Sequence, residues 1–131
     1  MDLRILLQEL AQKFNFTAEL EKDPQGFYRL EINEKTVLLL KENNFGLTCK
    51  SDITPIASDD NEDLLTLLMR ANFTGQGTGG AILCLNPTGQ KLLLQNHVFG
   101  DLNYKEFKEK IEEFVNYLNY WKTRVSDQTK K

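Results

Sequence analysis

Three glycines in the second half of the chain have the spacing that phosphate-binding loops use. Gly75, Gly77 and Gly80 form a G-x-G-x-x-G pattern within the segment NFTGQGTGG, residues 72–80. In dinucleotide-binding folds this loop follows a strand and opens a helix, whose first amides hold the pyrophosphate. Here a helical pattern precedes the glycines and a strand pattern follows them. We therefore predict a helix exit and turn, and a small nucleotide-binding enzyme that uses Gly75 to Gly80 is the alternative.

The other reactive side chains are few and do not form a catalytic set. The chain has one histidine, His97, and two cysteines, Cys49 and Cys84, which lack C-x-x-C spacing. One histidine excludes a histidine-based metal cluster within a single chain. Both cysteines lie at apolar positions of predicted strands, so we expect reduced core thiols rather than a nucleophile paired with His97. The aspartates within 59–63 are expected to cap a helix. We predict no enzymatic activity, no cofactor and no metal.

The composition is that of one soluble globular domain. The chain has 131 residues, of which 40% are hydrophobic and 27% charged, and 16 basic against 19 acidic residues give a net charge of −3. This balance provides no overall field for nucleic acid. The apolar runs are far shorter than the roughly 20 residues of a membrane span, and the beginning lacks the pattern of a secretory signal. We expect a cytoplasmic protein without membrane insertion, with one domain over 1–125 and a disordered tail over 126–131.

Apolar periodicity predicts three helices and five strands. The predicted helices are 2–14, 58–73 and a third that begins near Asn103, and the predicted strands are 27–32, 36–41, 45–50, 81–85 and 91–95. The first and last helices carry apolar stripes at Leu3, Leu6, Leu7, Leu10 and Phe14 and at Phe107, Ile111, Phe114, Leu118 and Trp121. Short connections join antiparallel neighbours. The predicted fold is α+β, in the order α-β-β-β-α-β-β-α, with a twisted, mainly antiparallel sheet.

Some of the predicted strands are apolar on both faces. VLLL at 37–40, AILCL at 81–85 and LLL at 92–94 lack the alternation that a sheet with one solvated face requires. Three helices cover one face of such a sheet, but hardly both. Exposed apolar surface of that extent indicates a protein partner, either a second copy or another chain. Free sheet edges also accept an added strand.

A diffuse pattern runs from the second predicted helix to the last one. A leucine-rich helix ends in an asparagine and is followed by a strand, a polar turn with glycine, a leucine-rich strand and a helix that leads to a phenylalanine and a tryptophan. Its positions are Asn72, Gly89, Leu92, Leu94, Leu102, Phe107, Phe114 and Trp121. This pattern resembles class I type III secretion chaperones, the Tir chaperone (CesT-like) family, and the first helix and three strands extend the resemblance over essentially the whole chain.

The resemblance implies a homodimeric chaperone in the cytoplasm of a Gram-negative bacterium. Such a protein binds the N-terminal region of secreted effectors and keeps it extended and ready for export, without ATP and without a cofactor. The secretion ATPase or other apparatus components are further partners that fit the resemblance. A regulatory or scaffold subunit of the secretion machinery is the alternative.

The resemblance also assigns two sets of apolar residues. In the family the second helix and the last two strands build the dimer, which implies a subunit contact at Leu65, Leu68, Met69, Phe73, Ile82, Cys84 and Leu93. The first helix and first three strands receive the effector, which implies a binding surface at Leu6, Leu10, Phe14, Phe16, Tyr28, Leu30, Ile32, Leu38 and Leu40. Each residue is also a candidate for ordinary core, and the sequence leaves that choice open.

Overall fold

The computed structural model describes residues 1–55, 62–74, 81–85 and 91–129, which form three helices and six strands. The helices are α1 (Leu3–Phe14), α2 (Glu62–Thr74) and α3 (Tyr104–Thr129). The strands are β1 (Thr17–Glu19), β2 (Tyr28–Asn33), β3 (Thr36–Asn43), β4 (Gly46–Pro55), β5 (Ile82–Leu85) and β6 (Lys91–Phe99). The predicted α+β class is confirmed, but the order is α-β-β-β-β-α-β-β-α.

The additional strand is β1, which the sequence did not predict. It has only three residues, Thr17–Glu19, of which Ala18 alone is half-buried. Its pairing with β2 places Ala18 opposite Leu30. A segment this short carries no apolar alternation, so the neighbouring strand defines it and local propensity does not.

Capping residues fix the bounds of α1. Asp2 accepts a hydrogen bond from the Ile5 amide through its side chain, at 3.3 Å, which satisfies one free donor of the first turn. Asn15 adopts the left-handed conformation, with φ 58°. The Phe16 amide then donates to the Ala11 carbonyl at 3.0 Å, as helix termination of this kind requires. The chain leaves α1 directly into β1.

The sheet has the strand order β1-β2-β3-β4-β6-β5, and the pairs β1–β2, β2–β3, β3–β4 and β5–β6 are antiparallel. The predicted pairing of the strands at 81–85 and 91–95 is confirmed, with Leu83 opposite Leu94. Gly46 begins β4 with φ 150°, and a Cβ there would lie 2.0 Å from the Val98 carbonyl oxygen. Only glycine permits this close approach.

The chain divides into two compact units, each with its own buried residues. Unit 1 comprises Met1–Ser51 and His97–Ile111, and unit 2 comprises Asp52–Asn96 and Glu112–Lys131. Buried apolar residues of unit 1 include Leu3, Leu7, Leu10, Leu30, Leu38, Leu40, Leu47 and Phe107. Those of unit 2 include Leu68, Leu83, Leu92, Leu93, Leu94, Phe114, Leu118, Trp121 and Val125. The single domain over 1–125 stays a prediction, and so does the tail from residue 126, although α3 ends at Thr129.

The predicted apolar stripes agree with burial except at two places. All five stripe residues of α3 are buried, as are Leu3, Leu6, Leu7 and Leu10 of α1. Phe14 is 44% exposed, because it lies in the last turn of α1 and stacks on Phe16, with ring centroids 5.7 Å apart. The second place is α2, where the apolar side chains of Met69 and Phe73 are 71% and 92% exposed within the single chain.

Candidate functional site

The glycine segment lies between a helix and a strand. α2 ends at Thr74 and β5 begins at Ile82, which confirms the order helix, glycines, strand. A dinucleotide loop needs a helix directly after the glycines, and the chain places a strand there. Residues 75–80 themselves, with the predicted helix exit, lie outside the described residues. The same holds for residues 59 and 60 of the aspartate group.

His97 and Cys49 occupy opposite faces of the sheet in unit 1. His97 Nδ1 lies 3.1 Å from the Thr48 hydroxyl and 3.5 Å from the Asn43 side-chain amide, and its ring packs edge-on against Phe99. The next residue after Thr48, Cys49, points to the buried side and is 4% exposed. Burial raises the pKa of the Cys49 thiol, which disfavours a thiolate. These two side chains do not form a nucleophile and base.

Two features are absent from the part of the chain that the structure describes. No group of three or more histidine, cysteine, aspartate or glutamate side chains is placed to hold a metal ion. Within the same residues, no helix has the length and apolar character needed to cross a bilayer.

A groove lies between the end of α1 and strand β1 in unit 1. Its volume is about 440 Å³, and its lining residues are Gln8, Ala11, Gln12, Asn15, Phe16, Thr17, Ala18 and Leu20. The left-handed turn at Asn15 brings Phe16 into this lining. β1 stands at an end of the strand order, so its outer side pairs with no described strand. Such an edge presents backbone donors and acceptors to an added chain.

Two cation–π contacts support the end of α1 beside this groove. The Lys108 ammonium lies 5.4 Å from the centre of the Phe14 ring, and the Lys13 ammonium lies 4.3 Å from that of Tyr104. Contacts of this kind stabilise by about 0.5–1 kcal/mol at exposed sites. Both contacts join α1 to the first turns of α3, and the Lys108 contact favours the observed orientation of Phe14.

The residues predicted to bind an effector separate into two groups. Leu6, Leu10, Tyr28, Leu30, Leu38 and Leu40 are buried in unit 1. Phe14 is exposed, and Phe16 and Ile32 are half-buried. Phe16 lines the groove and Phe14 stacks on Phe16, whereas the buried six contribute to the core of the unit.

One asparagine joins α2 to the edge of β5 in unit 2. The Asn72 side-chain amide donates to the Leu83 carbonyl, and the Leu83 amide donates to the Asn72 side-chain oxygen, both at 2.8 Å. The pair of bonds copies the way in which a neighbouring strand would contact Leu83. Asn72 therefore occupies the outer edge of β5 at this residue.

The residues predicted at a subunit contact lie on α2, β5 and β6 of unit 2. Met69, Phe73 and Ile82 are exposed, Ile82 by 50%, Cys84 is half-buried, and Leu68 and Leu93 are buried. The side chain of Leu65 lies outside the described residues. Met69 and Phe73 are four residues apart, which places them on one stripe of α2. We call the exposed residues Met69, Phe73 and Ile82 the unit 2 apolar surface.

Sequence reasoning missed two features of these surfaces. Leu85 is also exposed on β5, by 46%, and the resemblance did not assign it to the subunit contact. The hydrogen bonds of Asn72 were not predicted either, because its partner Leu83 lies eleven residues further along the chain. The only signal was an asparagine near the end of a helix, which is equally typical of a helix cap.

Comparison with known proteins places this fold and sequence in a defined group. Residues 5–122 match the family model described as the Tir chaperone protein (CesT) family. A protein of Chlamydia pneumoniae is 29% identical over 122 residues, which cover 91% of this chain and 92% of the relative.

Solved structures share the fold. A chain of the heterodimeric ExoU–SpcU complex from the type III secretion system of Pseudomonas aeruginosa has a TM-score of 0.67 at 13% identity, with 97% of each chain covered. A chain in the complex of the Yersinia pestis type III secretion chaperone SycH with a fragment of YscM2 has a TM-score of 0.63 at 18% identity. The match covers 91% of this chain and 98% of that one. A chain of the HopA1–SchA chaperone–effector complex has a TM-score of 0.65 at 14% identity, and the match covers 92% of this chain and 93% of that one. At these identities the likeness establishes the fold alone.

Proposed function

Because the chain belongs to the Tir chaperone protein (CesT) family, we propose that it is a type III secretion chaperone. It binds the N-terminal region of secreted effector proteins in the cytoplasm of a Gram-negative bacterium and keeps that region extended and ready for export. It acts by binding, without ATP and without chemistry. The observation that carries this proposal is the family match over residues 5–122, and the HopA1–SchA chaperone–effector complex, which has the same fold, supports it.

The groove of unit 1 is the proposed binding surface for the client. Phe14 and Phe16 offer apolar contacts for client side chains, and the outer side of β1 offers backbone hydrogen bonds. Backbone pairing depends little on side chains, so it accepts clients of different sequence, while the apolar contacts select alternate residues. The buried members of the predicted set act indirectly, because they hold β2 and β3 under the groove.

The unit 2 apolar surface is the proposed contact with a second copy. Met69, Phe73 and Ile82 are each at least half exposed. Complete burial of one such side chain stabilises by about 1.5–3 kcal/mol. Leu68 and Leu93 are already buried within the chain, so we propose that they support this surface from below rather than contact the partner.

The client proposal is tested by capture from the cells in which the chain occurs. The tagged chain is expected to retain a small set of secreted proteins, and deletion of their N-terminal regions abolishes capture. Phe16→Glu places a charge in the groove and is expected to weaken capture, whereas Phe45→Glu changes an equally apolar but distant exposed side chain of the β3–β4 turn and leaves it intact. Retention of apparatus components without any secreted protein contradicts the proposal and indicates a scaffold subunit.

The dimer proposal is tested by light scattering at micromolar concentration. The unaltered chain is expected at twice the monomer mass. Ile82→Asp or Phe73→Asp is expected to give the monomer, since each buries an unpaired charge in the contact, while Phe45→Asp leaves the dimer intact. A monomeric unaltered chain, or a dimer that persists in both Ile82→Asp and Phe73→Asp, refutes this assignment.

A further inference from the structure

The outward face of strands β2 to β4 in unit 1 differs from the buried face. Leu38 and Leu40 are fully buried on the inner side of β3, whereas Leu39 and Lys41, which alternate with them, are half-buried on the other side. Successive side chains of a strand point to opposite faces, so residues 39 and 41 share the outward face. No residue on this face was assigned a role by the sequence pattern.

Three basic side chains surround Leu39 on the outward face. The register places Arg29 of β2 and Lys50 of β4 directly opposite Leu39 on either side. Lys41 follows two residues later on β3 itself and therefore points the same way. Cross-strand neighbours on one face lie about 4.5–5.5 Å apart at Cβ. Glu19 of β1 lies directly opposite Arg29 on its other side, so the positive charge beside the half-buried Leu39 comes from the two lysines.

An aromatic ring holds two of these cations in place. The ammonium groups of Lys50 and Lys41 lie 4.3 Å and 5.6 Å from the centre of the Phe27 ring, hence within about 10 Å of each other. Asp23 fixes the backbone at Phe27, since its side chain accepts from the Phe27 amide and its own amide donates to the Phe27 carbonyl, both at 2.9 Å. At Gly26 a Cβ would lie 3.3 Å from the Lys41 side chain. The two lysines are therefore oriented before any ligand binds.

The carboxylates of the outward face already have basic partners. Glu31 pairs with Arg29 at 3.3 Å, and Asp52, two residues after Lys50 on β4, pairs with Lys91 at 3.6 Å. Among the ion pairs of the described residues, none includes Lys41 or Lys50. The chain as a whole carries a net charge of −3, so this positive surface is local.

We propose that this surface, composed of Phe27, Leu39, Lys41 and Lys50 and named here the lysine face, binds an acidic, extended segment of the client protein. The segment carries carboxylates that pair with the two lysines and an apolar side chain that covers Leu39. In an extended chain, every second side chain points to the same side at intervals of about 6.6–6.8 Å, which fits within the span of the two ammonium groups. The inference rests on the proposed client-binding function and names the chemistry of one client segment.

Charge and geometry favour a protein segment over nucleic acid. A long polyanion would be repelled by an acidic chain with a single small basic cluster. Single-stranded nucleic acid also needs open aromatic faces for base stacking, and here the ammonium groups of Lys41 and Lys50 already lie over Phe27. A carboxylate needs only the ammonium groups and leaves the ring covered.

A labelled synthetic peptide tests the lysine face without a native client. A peptide of Glu-Ser-Glu-Ser-Leu-Ser repeats presents two neighbouring glutamates and a leucine on one side when it is extended. Fluorescence anisotropy of this peptide with the full chain measures its Kd. Lys41→Gln and Lys50→Gln are each expected to raise Kd about two- to fivefold, the range of exposed ion pairs, and the double variant by roughly their product. Lys50→Arg retains the charge and is expected to retain binding. Lys105→Gln, at an exposed position of α3, removes the same charge elsewhere and is expected to change nothing.

Specific outcomes overturn the inference. Equal Kd for the unaltered chain, the Lys41→Gln/Lys50→Gln double variant and Lys105→Gln refutes it, as does equal affinity for a Gln-Ser-Gln-Ser-Leu-Ser peptide. Tighter, lysine-dependent binding of single-stranded DNA replaces it with a polyanion site. Thermal unfolding confirms that the variants remain folded. If the chain binds the peptide but captures no client from cells, the proposed function alone is refuted. If it captures clients but does not bind the peptide, the lysine face alone is refuted.

Discussion

Replacement of Asn72 by alanine tests whether one side chain holds β5 to α2. The variant removes both hydrogen bonds to the backbone of Leu83. A neutral hydrogen bond contributes about 0.5–1.5 kcal/mol net, so the pair contributes at most about 3 kcal/mol. Because Asn72 is itself exposed, water replaces part of the loss, and we expect the free energy of unfolding to fall by about 1–2 kcal/mol.

A second substitution at the same position separates the two bonds. Asn72→Asp retains an acceptor for the Leu83 amide but places a negative charge against the Leu83 carbonyl oxygen. At neutral pH its cost is expected to equal or exceed that of Asn72→Ala. At about pH 3 the introduced carboxyl becomes protonated and can again donate a hydrogen bond to the Leu83 carbonyl. The difference in the free energy of unfolding between the variant and the unaltered chain therefore shrinks as the pH falls.

Chemical denaturation followed by circular dichroism measures both effects at one fixed protein concentration, because the proposed dimer makes stability depend on concentration. Asn116→Ala is the matched control, since it removes the same side chain from an exposed position of α3 and is expected to change stability by no more than about 0.5 kcal/mol. Equal denaturation midpoints for Asn72→Ala and Asn116→Ala refute the reasoning. So does an Asn72→Asp deficit that does not depend on pH.

Two further predictions concern backbone geometry and thiol chemistry. Gly46→Ala introduces a Cβ against the Val98 carbonyl at a positive φ and is expected to lower the free energy of unfolding by about 2–5 kcal/mol. Gly100→Ala, with φ 94° and open space around it, is expected to lower it by about 1–2 kcal/mol. Similar denaturation midpoints for the two variants contradict this prediction. In the native chain a thiol reagent is expected to react with half-buried Cys84 well before Cys49, since burial raises the pKa of the Cys49 thiol. Rapid labelling of Cys49 under native conditions, identified by mass spectrometry, excludes that order.

Features with local causes were predictable from the sequence. α1 and α3 begin within one residue of the predicted positions, because Asp2 and the Asn103–Glu106 pair are capping residues whose partners lie three residues away. The antiparallel pairing of β5 and β6 was predictable for a similar reason, since two apolar runs flank the short sequence NPTG, residues 86–89. In each case a few neighbouring residues contain the whole signal.

Features that depend on distant residues were not predictable. β1 exists because Ala18 pairs beside Leu30, and three residues of sequence carry no such information. Likewise, alternation identified the strands without deciding which apolar residues are core. Leu38 and Leu40 are buried while Phe73, in an equally apolar segment, is 92% exposed. Solvent exposure is a property of packing between elements, and the amino-acid pattern of one element does not contain it.

The two edge strands favour different kinds of association. The outer edge of β5 is occupied at Leu83 by the side chain of Asn72, so an added strand cannot pair there without displacing two hydrogen bonds. What α2 and β5 offer instead is the side chains of the unit 2 apolar surface, and burial of side chains requires a partner of complementary shape. β1 has no described strand on its outer side and lies beside a groove, so backbone pairing with varied sequences is open to it. A second copy, which always has the same sequence, suits the first surface, whereas clients, which differ in sequence, suit the second. The position of Asn72 is therefore a physical reason to expect dimerisation on unit 2 and client binding on unit 1.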